Sequence, residues 1–193
     1  MKKLNYNDID EPIELLEFMH KYIKNGFISK NNEIYNEQNY EIWPKNWQEQ
    51  YILQDYIEVL NYGSATCWDQ VELERQWFEN HHYKYQTYFM WFDLLKELPT
   101  HAFLIYEKEN KYYWFENSFT PYKGIYEANT LEDMLKYVIK IFIKYTQKEY
   151  NITSKDYKYL EIFKYYKPKS HISAKDFIKN ATKNKINIQN ILL

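Results

Sequence analysis

The chain has 193 residues, 45% of them hydrophobic, which is enough to build one well-buried core. Its 25 basic and 27 acidic residues leave a formal charge of −2, so the basic excess of a dedicated nucleic-acid binder is missing. Only 3 glycines argue against a Gly-rich nucleotide cradle, and a single cysteine excludes an intramolecular disulfide or a Cys-rich metal centre.

Aromatic residues make up 20% of the chain, with 22 tyrosines, whose apolar bodies and polar edges suit half-buried sheets and groove walls. The start, Met1-Lys2-Lys3-Leu4-Asn5, is followed by no apolar stretch, so no signal peptide is expected. The longest apolar window, 134–145, is interrupted by Lys136, Lys140 and Lys144 and is too short to span a bilayer. One free thiol fits a reducing compartment, which makes the cytoplasm the expected location, with no membrane and no nucleic-acid partner.

In chain order, apolar residues at 13, 15, 16, 18, 19, 22 and 23 predict a helix over 11–23, with Pro12 in its first turn and Gly26 ending it. Residues 31–46 are polar and irregular. Trp43-Pro44 and Trp47 open a second helical stretch to about Asn61, broken by Gly63. A third helix is predicted over Cys67–Asn80, rich in helix formers. The aromatic run 85–92 (YQTYFMWF) reads as a strand. Residues 101–106 (HAFLIY) and 112–116 (YYWFE) form a hairpin about Glu109-Asn110. Residues 124–128 suit a further short strand. Thr130 caps a long amphipathic helix to about Tyr150, 159–166 is strand, and Ser173 starts a last short helix. Helices, then strands, then helices define an α+β class, in one domain over 1–193. Its core spans about 45–166, with a helical N-terminal extension over 1–44 and a tail over 167–193.

Cys67 follows the small-residue turn Gly63-Ser64-Ala65-Thr66 and opens the third helix. The first N–H groups of a helix have no internal partner and carry partial positive charge, which favours a thiolate. A thiol nucleophile needs a base, and the base an orienting group. Of five histidines, His20 lies on a surface helix, His81-His82 ends the third helix, and His171 sits in a late loop. His101 opens an otherwise apolar strand, where backbone pairing holds it rigidly. Folding the hairpin brings Glu116 roughly opposite His101, within hydrogen-bonding reach. Asn117 is the alternative orienter, but a one-residue shift changes the face, so only one of the two can serve. Asp69, Glu72 and Glu74 read as structural acids near the helix start that disfavour a thiolate. His81-His82 has no partners for a metal, and no cofactor or metal is expected.

The segments GSATCWDQVELERQWF and PTHAFLIYEKENKYYWFENS resemble the transglutaminase-like superfamily, over about residues 50–165. In that pattern a Cys at a helix N-terminus is followed by a His at a strand start and an acid on the next strand, the order of Cys67, His101 and Glu116. The resemblance implies a papain-like core with the Cys helix on an antiparallel sheet. It also implies acyl transfer through a thioester. The oxyanion would be held by the Cys67 N–H and a second, upstream donor. Trp43, Trp47, Gln48, Gln50, Gln54 and Tyr62 are all able to donate. Trp68 suits either a groove wall or an interior anchor. The resulting expectation is a thiol hydrolase acting on a peptide or protein amide or ester, in preference to a crosslinking enzyme. The alternative is a non-catalytic module that binds a peptide or protein in an aromatic groove.

Overall fold

Two sheets organise the chain, which a computed structural model describes over residues 5–42, 44–93 and 99–187. The first half of the chain begins with α1 (Pro12–Tyr22), β1 (Lys24–Ile28) and β2 (Ile34–Asn36), followed by α2 (Trp47–Gln50) and α3 (Tyr56–Tyr62). Next come β3 (Ser64–Ala65), α4 (Cys67–Asn80), β4 (Lys84–Phe92), β5 (Thr100–Lys108), β6 (Lys111–Glu116) and β7 (Gly124–Ala128). The chain continues through α5 (Leu131–Tyr150), β8 (Leu160–Tyr165), α6 (Ala174–Ala181) and β9 (Asn184–Lys185). The class is α+β.

The large sheet has the order β7-β6-β5-β4-β8-β9, antiparallel throughout. Its central strands are covered on both faces. Tyr88, Met90 and Phe92 of β4 join Phe103, Ile105 and Trp114 beneath the apolar stripe of α5: Met134, Leu135, Val138, Ile139 and Phe142. On the opposite face, Leu104, Tyr106 and Phe115 meet Leu73, Trp77 and Phe78 of α4 together with Leu15 and Met19 of α1. Phe89, Ala102 and Phe163 continue that second layer against Trp68 and Val71 of α4 and Phe177 of α6. The period-2 alternation of a twice-covered strand therefore separates two apolar layers, and it does not separate core from solvent.

The N-terminal 44 residues are not a purely helical extension. β1 pairs antiparallel with β2 and parallel with β3, directly before Cys67. Gly26 does not end α1, which stops at Tyr22. Gly26 sits inside β1 where a Cβ would lie 2.1 Å from the Tyr35 carbonyl and 2.2 Å from Ser64 Oγ. Its role is close approach of three strands. The second expected helix is split, because Tyr51 and Ile52 are extended and bridge to Ser29 and Ser173. Tyr51 and Leu53 are fully buried there, so tertiary pairing overrides helix propensity. Gly63 does end α3, with φ 64° in the left-handed region. The tail is no appendage, since Phe177 stacks on Trp68 at 4.5 Å between ring centroids.

Candidate active site

Cys67 is the first residue of α4, and the turn before it is over-determined. Thr66 and Asp69 form a capping box, with the Thr66 amide 2.9 Å and its hydroxyl 2.7 Å from Asp69 Oδ2. Asp69 Oδ1 accepts from the Tyr51 hydroxyl at 2.6 Å and the Gln54 amide at 2.9 Å. Burial pushes the Asp69 carboxyl up to about 6, against those four hydrogen bonds. Gln54 donates its side-chain amide to the Ser64 carbonyl at 2.9 Å, and Gln70 donates to the Ala65 carbonyl at 3.0 Å.

The hairpin supplies the other two residues. Glu109 and Asn110 both have positive φ, 54° and 60°, as a two-residue turn requires to match strand twist. The register sets Leu104 opposite Phe115, so the expected rough opposition of His101 and Glu116 takes the form of an offset of two positions. They are diagonal neighbours on one face, still within reach of two long side chains. His101 Nε2 lies 2.7 Å from Glu116 Oε2, and both residues are buried. With Nε2 so occupied, Nδ1 is the ring nitrogen left for the thiol. Cys67 lines the same cleft and lies near enough to act on the imidazole's charge, without a direct hydrogen bond between them. Burial alone would lower the His101 pKa. The Glu116 carboxylate and the nearby Cys67 sulfur outweigh it and raise the pKa to about 10, so the imidazolium is the stable form at neutral pH.

Glu116 divides its two oxygens. Oε2 holds His101, while Oε1 accepts from the Ser118 hydroxyl at 2.9 Å and the Phe119 amide at 2.7 Å. Asn117 does not orient the histidine. Its side-chain amide points to the other face and donates to Gln70 Oε1 at 2.8 Å. The one-residue alternation decides between the two candidates, in favour of Glu116.

Cys67 and His101 open into a cleft of about 820 Å³ at the end of the sheet where β5 begins and β6 stops. Trp47 and Gln48 line it from the α2 side, and Phe119, Phe142, Tyr145 and Tyr150 line the other wall. Of the upstream donors, Gln54 is committed to Ser64, and Tyr62 and Gln50 are absent from the cleft lining. Trp43 falls outside the described residues. Trp68 touches the cleft but is 1% exposed and is chiefly an interior anchor, edge-on to Tyr51 and stacked on Phe177.

Asp69, Glu72 and Glu74 of α4 are all buried: Asp69 caps the helix, and Glu72 and Glu74 lie in the interior. Glu72 pairs with Arg75 at 3.1 Å in the interior, and Arg75 also donates to Thr87 Oγ1 at 2.9 Å. Glu74, on the cysteine's side of α4 two turns on, is buried, and its Oε2 has no hydrogen-bond partner. Desolvation first, and then the nearby Glu116 carboxylate, hold its pKa well above the usual carboxylate range, which favours the protonated acid. Sequence reasoning missed this, although a spacing of seven from Cys67 placed it on the same helix face. The aromatic wall from 119 and α5 carried no separate sequence signal.

Elsewhere, Asp55, Glu58 and His171 bring one potential ligand atom each within 4.8 Å of one another. Their contacts are explained by the capping box of α3 and a surface pair of His171 with Glu58 at 3.0 Å. No described helix is long and apolar enough to cross a membrane. Comparisons with family models, with curated proteins and with solved structures found no match to the chain.

Proposed function

We propose that the protein is a thiol-dependent acyl-transfer enzyme with a transglutaminase-like, papain-related core, acting as a hydrolase on a peptide or protein amide or ester. The observation that carries this reading is the buried His101–Glu116 pair at 2.7 Å, which lines one cleft with a thiol at a helix N-terminus. Cys67 Sγ, as thiolate, attacks the carbonyl carbon. The resulting oxyanion is met by the Cys67 backbone N–H, which has no intrahelical partner, and by a second donor from the Trp47-Gln48 wall. The His101 imidazolium gives its proton to the departing amine or alkoxide, leaving a thioester. Water, deprotonated by His101, then attacks the thioester and releases the acid and the thiol. Glu116 keeps the ring oriented and stabilises its charged form throughout.

The test is the rate of Cys67 alkylation by iodoacetamide at neutral pH. The rate should exceed that of free cysteine by about tenfold or more and fall back to it in His101→Ala. A thiol with free-cysteine behaviour overturns the reading. It would favour a non-catalytic peptide-binding module, whose supporting feature is the aromatic wall of the cleft.

A further inference from the structure

The cleft has two unlike walls. Among the described residues, the charged side chains lining it are Lys45 and Glu49 on the α2 side and His101, while Phe119, Phe142, Tyr145 and Tyr150 give it an aromatic side. Phe119 is the pivot of the uncharged wall. Its ring is 5.1 Å from the His101 imidazole, 5.1 Å from Tyr122 and 4.6 Å from Tyr145, edge-on at 88°. Phe142, almost fully buried, backs this ring from the core, stacked at 6.4 Å from His101. The backbone of Phe119 is fixed by the acid that orients the base, through its 2.7 Å hydrogen bond to Glu116 Oε1. A single carboxylate thus sets the position of both the proton shuttle and the ring beside it.

We propose that this wall, Phe119 with Tyr145 and backed by Phe142, is the subsite for the acyl side chain, and that it selects substrates with an uncharged aromatic group next to the scissile carbonyl. The assignment rests on Cys67 being the nucleophile. A charged side chain placed against the Phe119 ring would lose hydration to an apolar surface, with no counter-charge on this wall among the described residues. A flat ring would instead extend an existing edge-to-face cluster, a geometry that adds to simple area burial. The volume of about 820 Å³ suits a segment of a few residues around the reacting carbonyl.

The test uses three N-acetyl aminoacyl chloromethyl ketones, with phenylalanyl, alanyl and aspartyl side chains. Cys67 Sγ forms a thioether with the methylene carbon and chloride leaves with the bonding pair. The phenylalanyl probe should inactivate about tenfold faster than the alanyl probe, and the aspartyl probe more slowly than either. In Phe119→Ala and in the more conservative Tyr145→Leu, the phenylalanyl-to-alanyl ratio should fall toward one. Equal rates for the first two probes, with iodoacetamide still reporting an activated thiol, overturn the subsite and leave the enzyme reading intact. A ratio unchanged in folded Tyr145→Leu and Phe119→Ala also overturns it. A thiol that iodoacetamide shows to be ordinary overturns both.

Discussion

Asn117 and Gln70 are joined by a 2.8 Å hydrogen bond that ties the end of β6 to the first turn of α4. Through Gln70 the tie continues to the Ala65 carbonyl at 3.0 Å, two residues before the thiol. Successive residues of β6 and its exit therefore do different work: Glu116 reaches the histidine, and Asn117 fixes the distance between strand and thiol helix.

On the proposed function this predicts a clean separation of effects. Glu116→Gln should lower acyl-transfer or thiol-alkylation rates by about a hundredfold or more, the order associated with losing an orienting carboxylate. Asn117→Ala should act mainly on stability, by about 1–3 kcal/mol, because it leaves the buried Gln70 amide short of a partner. Rates and urea unfolding measured on both variants check this.

Two buried groups predict that stability falls with rising pH. His101 has a folded pKa raised to about 10 against 6.5 in the unfolded chain. Its stabilisation is fully present below 6.5 and is lost as pH rises through about 10. Glu74, an acid with a raised folded pKa, retains its proton when the unfolded chain has lost it. Stability therefore falls from the ordinary carboxylate range upward until the folded group ionises. Each contributes a slope of about 1.4 kcal/mol per pH unit inside its own window. Glu74→Gln, which cannot ionise, should show a shallower decline above pH 5, and His101→Gln a shallower one above pH 6.5. Unfolding free energies across pH 4–10 give the slopes.

The legible parts of the fold were those with long, regular patterns. The bounds of α4 follow from its helix formers, the body of β4 from a dense aromatic run, and the Glu109-Asn110 turn from its charged residues between two apolar strands. The break at Tyr51–Asp55 was not legible, because it is imposed by bridges to Ser29 and Ser173, far away in sequence. The same holds for β1 and β3, whose pairing depends on Gly26 admitting Tyr35 and Ser64. Within the candidate site, Cys67, His101 and Glu116 could be named because each sits at an element boundary. The wall contributed by Phe119 and Tyr145 could not, since its residues are ordinary members of an apolar stripe until the sheet end is built.

Gly26→Ala is predicted to be among the most damaging small substitutions. A Cβ at 2.1 Å from Tyr35 O and 2.2 Å from Ser64 Oγ requires β2 or β3 to move. The cost should be about 2–3 kcal/mol by denaturant unfolding, with a drop in Cys67 alkylation rate because β3 leads directly into the thiol turn.

The Glu72–Arg75 pair offers a test of interior charge. Arg75 also lies 5.2 Å above the Tyr165 ring, and nothing in the pair is appreciably exposed. Arg75→Met should cost about 3–5 kcal/mol by leaving a buried carboxylate unpaired. The double variant Glu72→Leu with Arg75→Met should recover much of that loss, so the two changes are strongly non-additive in a double-mutant cycle.

The stacking of Phe177 on Trp68 has a consequence in the order of events during synthesis. Trp68 is the neighbour of Cys67, yet the ring that seats it is added 109 positions later in the chain (177 − 68). A nascent chain that has produced α4, the hairpin and α5 holds all three residues of the candidate triad, but its thiol helix still lacks one side of its packing. Reactivity at Cys67 should then appear late, as the last helix closes against the sheet, which separates completion of the sequence motif from completion of the site.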